Sequence, residues 1–153
     1  MGNFSTSKPL SHGDDSATEF VIEMLKGDST FAVNFDRIQW DNKNNCYVII
    51  EYLLCDESQF TRGITPHISH PNRYFHKNAQ KFISLWQIAS DLHAILFLVN
   101  YSKKGTKFDN QVLLMKVEEV NAESQNPVKT LDSKITRDQY SAWFRELNLR
   151  GKR

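Results

Sequence analysis

The sequence predicts an α/β fold in which a mixed central sheet is flanked by helices. Two nearly continuous apolar segments, Cys46–Leu54 and Ala94–Tyr101, are rich in β-forming residues, as expected of strands buried on both faces. Between them lies Lys77–His93, whose apolar residues recur at helical spacing. A helix that joins two buried strands implies a crossover connection, and therefore a parallel pair within the sheet.

The composition bounds the class of protein. The chain has 153 residues, 40% apolar and 24% charged, a balance typical of one globular domain. Residues 1–15 are polar and predict a flexible tail, so we expect a single domain over residues 16–150. No apolar run approaches the roughly 20 residues that span a bilayer, and no membrane partner is expected. Lys and Arg total 19 against 18 Asp and Glu, so the overall charge gives no argument for nucleic acid.

The cysteines and the N-terminus bear on location. Cys46 and Cys55 lie nine residues apart in one apolar segment and would face opposite sides of a strand, so we expect free thiols rather than a disulfide. Met1–Asp15 lacks the apolar stretch of a secretory signal. Both observations predict a cytoplasmic protein.

The first elements are a helix and a hairpin. Ser16–Gly27 predicts a short helix capped by Ser16, with Glu19 completing a capping box. Phe31–Trp40 alternates between apolar and polar residues, which predicts a strand. A short polar turn separates it from Cys46–Leu54, so the two segments should form an antiparallel hairpin.

The remaining segments complete the predicted order. Asp56–His76 is polar and broken by two prolines, which indicates a long loop of the kind that often carries function. Gln111–Val120 predicts another strand, and Asn121–Ser133 a linker. A closing helix should run to Leu147, with Thr136 as its N-cap.

Two acidic residues stand out on the predicted hairpin. Glu51 lies inside an apolar strand, where an isolated carboxylate would cost several kcal/mol, so it should be paired, hydrogen-bonded or bound to a metal. Asp36 lies on the preceding predicted strand, and a hairpin can place two such acids side by side. Converging carboxylates suit Mg²⁺, or Mn²⁺, which can polarise a phosphodiester and activate water.

This order of elements and acids resembles the PD-(D/E)XK nuclease superfamily. Phe35-Asp36 stands at the Pro-Asp position of that motif, and Glu51-Tyr52-Leu53 at its (Asp/Glu)-X-Lys position. The resemblance implies a restriction-endonuclease-like αβββαβ core and a Mg²⁺-dependent nuclease acting on DNA in preference to RNA. It also implies metal ligation by Asp36 and Glu51, with Glu19 as an additional helical ligand found in some members.

The chain departs from the family at the motif lysine. Leu53 occupies that position, and in the family the lysine helps to orient water and to stabilise charge on the phosphate. Some members recruit the cation from a neighbouring element, and Lys81, followed by Lys77, is the candidate on the next helix. The predicted catalytic set is therefore Asp36, Glu51 and Lys81.

Other interpretations of the same residues stay open. Glu51 can be a structural carboxylate paired with Arg37, Arg73 or Lys81, and Glu19 can serve the helix cap alone. His67 and His70 have metal-ligand spacing without a convincing third ligand. A second hypothesis for the whole chain is therefore a catalytically inactive nuclease-like domain. Such a domain would bind nucleic acid, a protein partner or a second copy of itself through the long loop and a sheet edge.

Overall fold

The computed structural model describes residues 15–152, which form two compact units divided between Ala32 and Val33. The first contains helix α1, Ser16–Leu25. Asp15, rather than Ser16, occupies the N-cap position, and no side chain caps the helix there. Lys26 and Gly27 end α1 with positive φ angles of 49° and 91°. The predicted tail lies outside the described residues except for Asp15, and the single domain over residues 16–150 stays a prediction.

The second unit contains the sheet and the other helices. Its elements, in chain order, are β1 (Arg37–Asp41), β2 (Cys46–Leu54), α2 (Glu57–Phe60), a 3-10 helix (Pro71–Arg73), α3 (Phe75–Asp91), β3 (Ile95–Tyr101), β4 (Gln111–Val120), β5 (Val128–Thr136) and α4 (Arg137–Leu149). The sheet order is β1-β2-β3-β4-β5. Strands β2 and β3 are parallel and the other neighbours antiparallel, which confirms the predicted mixed sheet flanked by helices. Two strands, not the three of an αβββαβ order, lie between α1 and α3.

The predicted first strand is wrong in its N-terminal half. Residues 31–36 are not strand, and β1 pairs with β2 only from Arg37↔Ile50 to Asp41↔Cys46. The apolar alternation has another cause, since Val33 and Phe35 are half-buried and pack against the core without a ladder. Asp36 therefore lies at a bend just before β1 rather than on the strand.

The predicted linker Asn121–Ser133 is also wrong, because its C-terminal part forms β5. This strand is at the edge of the sheet and most of its residues are exposed, so its sequence contains no run of apolar residues that would predict a strand. The closing helix follows directly. Thr136 caps α4 as predicted, in a capping box with Gln139.

The sheet buries one apolar layer on each face. On one face Ile49, Leu98 and Met115 pack beneath α3 with Phe82 and Leu85. On the other face a second layer packs beneath α4, formed by Val48, Ile50, Val99, Val112, Leu114 and Leu147. Each fully buried side chain of this kind contributes about 1.5–3 kcal/mol, so the two layers fix the sheet between the helices. Within residues 15–152, no helix is long and apolar enough to cross a membrane.

Candidate functional site

The site begins with Glu51, a charged residue in the middle of β2. Side chains alternate between faces along a strand, so Glu51 shares the α3 face with Ile49 and Leu53, whereas Ile50 and Tyr52 face α4. Glu51 is 5% exposed, as the surrounding apolar sequence predicted. A carboxylate so deeply placed needs partners, and the structure supplies two of them.

The first partner is a cation from α3. Lys81 Nζ lies 2.7 Å from Glu51 Oε1, and the lysine side chain is 39% exposed against 7% for the glutamate. Lys81 is thus not a fully solvated helix residue: its ammonium group reaches from solvent into the sheet. The half-buried Leu53, on the same face, stands at the position that the predicted nuclease motif assigns to a lysine. Lys81 therefore brings a positive charge to Glu51 that the motif position does not supply.

The second partner is Asp36. Its backbone N–H donates to Glu51 Oε2 at 3.3 Å, while its own carboxylate Oδ2 accepts the Tyr52 N–H at 2.8 Å. Beyond Arg37↔Ile50 the ladder has ended, and the Asp36 side chain takes the Tyr52 N–H that a longer β1 would have used. These two contacts place Asp36 and Glu51 at one corner of the sheet. Joint binding of one cation by the two carboxylates stays a prediction.

The donor atoms at this corner fit a hard divalent cation. Mg²⁺ is commonly held by one or two carboxylates, with water and substrate phosphate completing its shell. Asp36 is exposed, and every carboxylate oxygen can accept more than one contact. Within the described chain no cluster of three or more His, Cys, Asp and Glu residues could hold a metal, so any ion here would depend on two protein ligands. Glu19 is exposed on α1 in the first unit, and its role as a further ligand stays a prediction.

The other cations named from the sequence lie elsewhere. Arg37 donates to Gln39 Oε1 and Asn148 Oδ1, and its guanidinium lies 4.8 Å from the centre of the Phe144 ring, on the α4 side. Arg73 and Lys77 are exposed and line a cavity beside the site. Among residues 15–152, the cation within ion-pair distance of Glu51 is therefore Lys81.

The long loop between β2 and α3 is fixed to the sheet. The buried Asn100 on β3 donates to the carbonyls of Pro66, at 3.1 Å, and Ser69. At the sheet edge, Asn72 Nδ2 donates to the Val128 carbonyl at 3.0 Å and its Oδ1 accepts the Val128 N–H at 2.8 Å. The segment predicted as a loop, residues 56–76, contains α2, the 3-10 helix and the first residues of α3, and these hydrogen bonds anchor it to β3 and β5.

The two loop histidines take part in this anchoring. His67 Nε2 contacts the Ile135 carbonyl at 3.0 Å, and His70 Nε2 contacts Thr130 Oγ1 at 2.8 Å. His70 Nδ1 accepts the Asn72 N–H, so its Nε2 carries the proton and donates. Burial lowers the pKa of His70, and the charge of Asp132 opposes this effect only in part. The lowered pKa favours the neutral ring. Both rings tie the loop to β5, and sequence spacing gave no sign of those contacts.

Two adjoining cavities lie beside the site. One has a volume of about 380 Å³, and its lining includes Lys81 and Asn100; the other, of about 450 Å³, includes Arg73 and Lys77. They share Gln59, Ser69 and Tyr74. Burial raises the pKa of Tyr74 to about 12, so its hydroxyl stays protonated at neutral pH.

A thiol also lines the first cavity. Cys55 is 2% exposed, and its Sγ lies 3.7 Å from the Ile64 carbonyl. Burial raises the pKa of Cys55, an effect that the charge of Arg73 partly offsets. The nucleophilic form of cysteine is the thiolate, so this buried thiol is not suited to nucleophilic catalysis. Cys46 is likewise a free thiol and is half-buried.

Comparison with known proteins gives no relative: no family model matches the chain, and neither a curated protein nor a solved structure does.

Proposed function

We propose that this protein is a Mg²⁺- or Mn²⁺-dependent nuclease of the PD-(D/E)XK type, acting on DNA. Asp36 and Glu51 would hold the metal ion, and Lys81 would supply the motif cation. The observation that carries the proposal is the 2.7 Å contact between Lys81 Nζ and Glu51 Oε1, because it supplies the charge missing at Leu53. A cytoplasmic location, with DNA rather than RNA as partner, belongs to the same proposal.

The roles follow from the chemistry of each group. A metal ion bound here would polarise the phosphodiester and lower the pKa of water. Lys81 would stabilise the charge that develops on the phosphate, because its ammonium group is partly exposed and can face both Glu51 and a substrate. Asp36, held by the Tyr52 N–H, would keep its carboxylate fixed at the corner of the sheet.

A second function has an observation in its favour. Both oxygens of Glu51 have partners within the protein, Lys81 and the Asp36 N–H, so its burial does not require a metal. An inactive nuclease-like domain that binds nucleic acid, a protein partner or a second copy of itself would keep the same pair for stability alone.

The Glu51→Gln variant separates the two functions. The amide keeps the shape of the side chain but removes the charge that a metal ion needs, so a nuclease should lose Mg²⁺-dependent cleavage of single-stranded, duplex and branched DNA. Glu118→Gln is the matched control, because Glu118 also faces a lysine, Lys129, at 3.7 Å. We expect this control to cleave like the parent protein.

The reverse outcome is equally clear. If the parent protein cuts none of these substrates with Mg²⁺ or Mn²⁺, while Glu51→Gln lowers the free energy of unfolding, the inactive nuclease-like domain becomes the better of the two proposals. Cleavage by Glu51→Gln at the parent rate would exclude Glu51 as a metal ligand.

A further inference from the structure

The two cavities share Gln59, Ser69 and Tyr74, so they adjoin, and the outer one is basic. Arg62, Arg73, His76 and Lys77 line the outer cavity, and Lys81 lines the inner one. Among the described residues that line either cavity, none is Asp or Glu. We call this surface the basic groove, defined by Arg62, Arg73, Lys77 and Lys81.

The outer cations are available to a ligand. Arg62, Arg73 and Lys77 are exposed, and in the described part of the chain none forms an ion pair. Three unpaired cations around one concavity produce a positive potential, because low-dielectric walls focus the field of charges that line a cleft. The overall charge of +1 conceals this local surface. The ligand chemistry that fits it is a run of phosphates.

The groove is also preorganised. The loop that carries Arg62 and Arg73 is held by Asn100 and Asn72 through side-chain hydrogen bonds to backbone groups. A fixed arrangement of charges binds without first having to order the loop, which removes an entropic cost of association. The loop therefore suits a binding surface better than a mobile connection.

The size of the groove favours one strand over a duplex. Cavities of about 300–1,000 Å³ enclose one drug-sized molecule, and a nucleotide is of that size. The cavities here, about 450 and 380 Å³, accommodate successive units of a single chain. The half-buried Tyr74, whose ring packs against Phe82, lines both cavities, and aromatic side chains are common where single strands bind.

We infer that the basic groove binds the phosphate backbone of a single nucleic-acid strand and leads it past Tyr74 to Lys81. This inference rests on the proposed function for the role of Lys81, at the inner end of the groove, as part of the nuclease site. Binding by the outer cations needs no metal ion, so it can be measured separately from cleavage.

The test is the affinity of the full chain for a labelled oligothymidylate, measured by fluorescence anisotropy in EDTA over a range of salt concentrations. The groove variant is Arg62→Ala/Arg73→Ala/Lys77→Ala. Because each phosphate contact on a single strand contributes about 0.7 to the slope of log affinity against log salt, we expect the slope to fall by about 2. The affinity near 100 mM salt should fall at least about tenfold.

The matched control is Lys43→Ala/Lys104→Ala/Lys116→Ala, which removes the same charge from exposed residues that line neither cavity. It should bind like the parent protein. Equal losses in both variants would overturn the groove, because binding would then depend on net charge alone. Circular dichroism of both variants checks the fold, and Arg62→Gln/Lys77→Gln should give an intermediate loss if the triple variant is unfolded.

Two competitors define the ligand. A duplex of the same length should compete at least about tenfold less well than the single strand, and equal competition would overturn the single-strand assignment. Polyglutamate of equal charge should not compete, and effective competition would assign the groove to acidic peptides instead.

Cleavage distinguishes this inference from the proposed function. A protein that binds the oligonucleotide through the groove but cuts nothing with Mg²⁺ would overturn the nuclease and retain the groove. A protein that cuts, and whose groove variant binds and cuts like the parent, would overturn the groove and retain the nuclease.

Discussion

The two ends of the β1–β2 hairpin each hold a buried carboxylate against a cation, and their surroundings differ. At the turn, Asp41 is 1% exposed and accepts the Lys43 N–H at 2.9 Å and Asn44 Nδ2 at 2.7 Å. Arg150 Nη2 donates to Asp41 Oδ2 at 3.3 Å, and Nε lies 3.1 Å from Oδ1 as a charge contact outside hydrogen-bond alignment.

At the open end of the hairpin, Glu51 has fewer partners and a more accessible cation. It contacts Lys81 and one backbone N–H, and the Lys81 side chain is 39% exposed against 24% for Arg150. Lys81 also borders a cavity, whereas Arg150 ties the residues after α4 to the turn, where its carbonyl accepts the Asn42 N–H at 2.9 Å. The same pair of charges is enclosed at one end and open to a ligand at the other. Both carboxylates are buried, so burial does not distinguish the two ends; the exposure of the partner cation does.

The largest expected effect is on cleavage, at the open end. Lys81→Met should reduce the rate about 10²–10³-fold, because the charge that stabilises the phosphate is lost. It should also destabilise the fold by about 1–3 kcal/mol, since the buried Glu51 carboxylate loses a partner that is partly screened by solvent. Single-turnover cleavage and urea unfolding measure the two effects.

The double variant Lys81→Met/Glu51→Gln sharpens this result. It should regain part of the stability that Lys81→Met loses, because no unpaired charge remains, whereas cleavage should be lost altogether because the amide at position 51 cannot supply the charge that a metal ion needs. If Lys81→Met cuts like the parent protein, Lys81 does not supply the motif cation, and Lys77 becomes the residue to test.

The next effect, at the turn, should appear in stability and not in rate. Asp41→Asn places an amide N–H₂ group or a poorer acceptor opposite Asn44 and Arg150. We expect a loss of about 2–3 kcal/mol in the free energy of unfolding, with Mg²⁺-dependent cleavage unchanged at a temperature where the variant is folded. The matched variant Glu51→Gln should instead lose cleavage and keep most of its free energy of unfolding. A large loss of cleavage in Asp41→Asn would remove the distinction between the two ends.

The sequence predicted the strands whose burial produces a run of apolar residues. Strand β2 begins at Cys46 and ends at Leu54, and β4 spans Gln111–Val120, both as predicted, because their runs of apolar residues reflect contact with the core. Strand β5 was missed because it is stabilised by its backbone ladder to β4 and most of its side chains are exposed. Backbone hydrogen bonds do not require apolar side chains, so the sequence shows no strand pattern there. Residues 31–36 alternate without pairing, which is the reverse error.

The sequence predicted the central residues of the candidate site, but not the cavities or the loop contacts around it. Glu51 was found because a charge in an apolar strand requires a partner, and Lys81 was among the partners proposed. Arg62 carried no such signal, since an exposed arginine in a polar loop has no distinctive pattern. The hydrogen bonds of Asn100 and Asn72 that hold the loop join residues 31 to 56 positions apart in the sequence, so they depend on the folded topology.

The smallest expected effect is on the pH dependence of the free energy of unfolding, to which His70 in the loop and Asp41 at the hairpin turn contribute in different pH ranges. Burial lowers the pKa of His70 below its ordinary value of 6.5, so the unfolded chain binds the proton more readily. The stability contributed by neutral His70 is therefore present above pH 6.5 and declines as pH falls from 6.5 towards the folded pKa.

The pKa of Asp41 is lowered too: burial raises it, but hydrogen bonds from Asn44 and Lys43 and the charge of Arg150 outweigh burial. Its contribution is present above its ordinary value of 3.8 and is lost only as pH falls below that. Unfolding free energies measured from pH 7.5 to 3 should thus decline in two steps. His70→Gln should flatten the upper step and Asp41→Asn the lower one, whereas an upper step that persists in His70→Gln would assign it to another group.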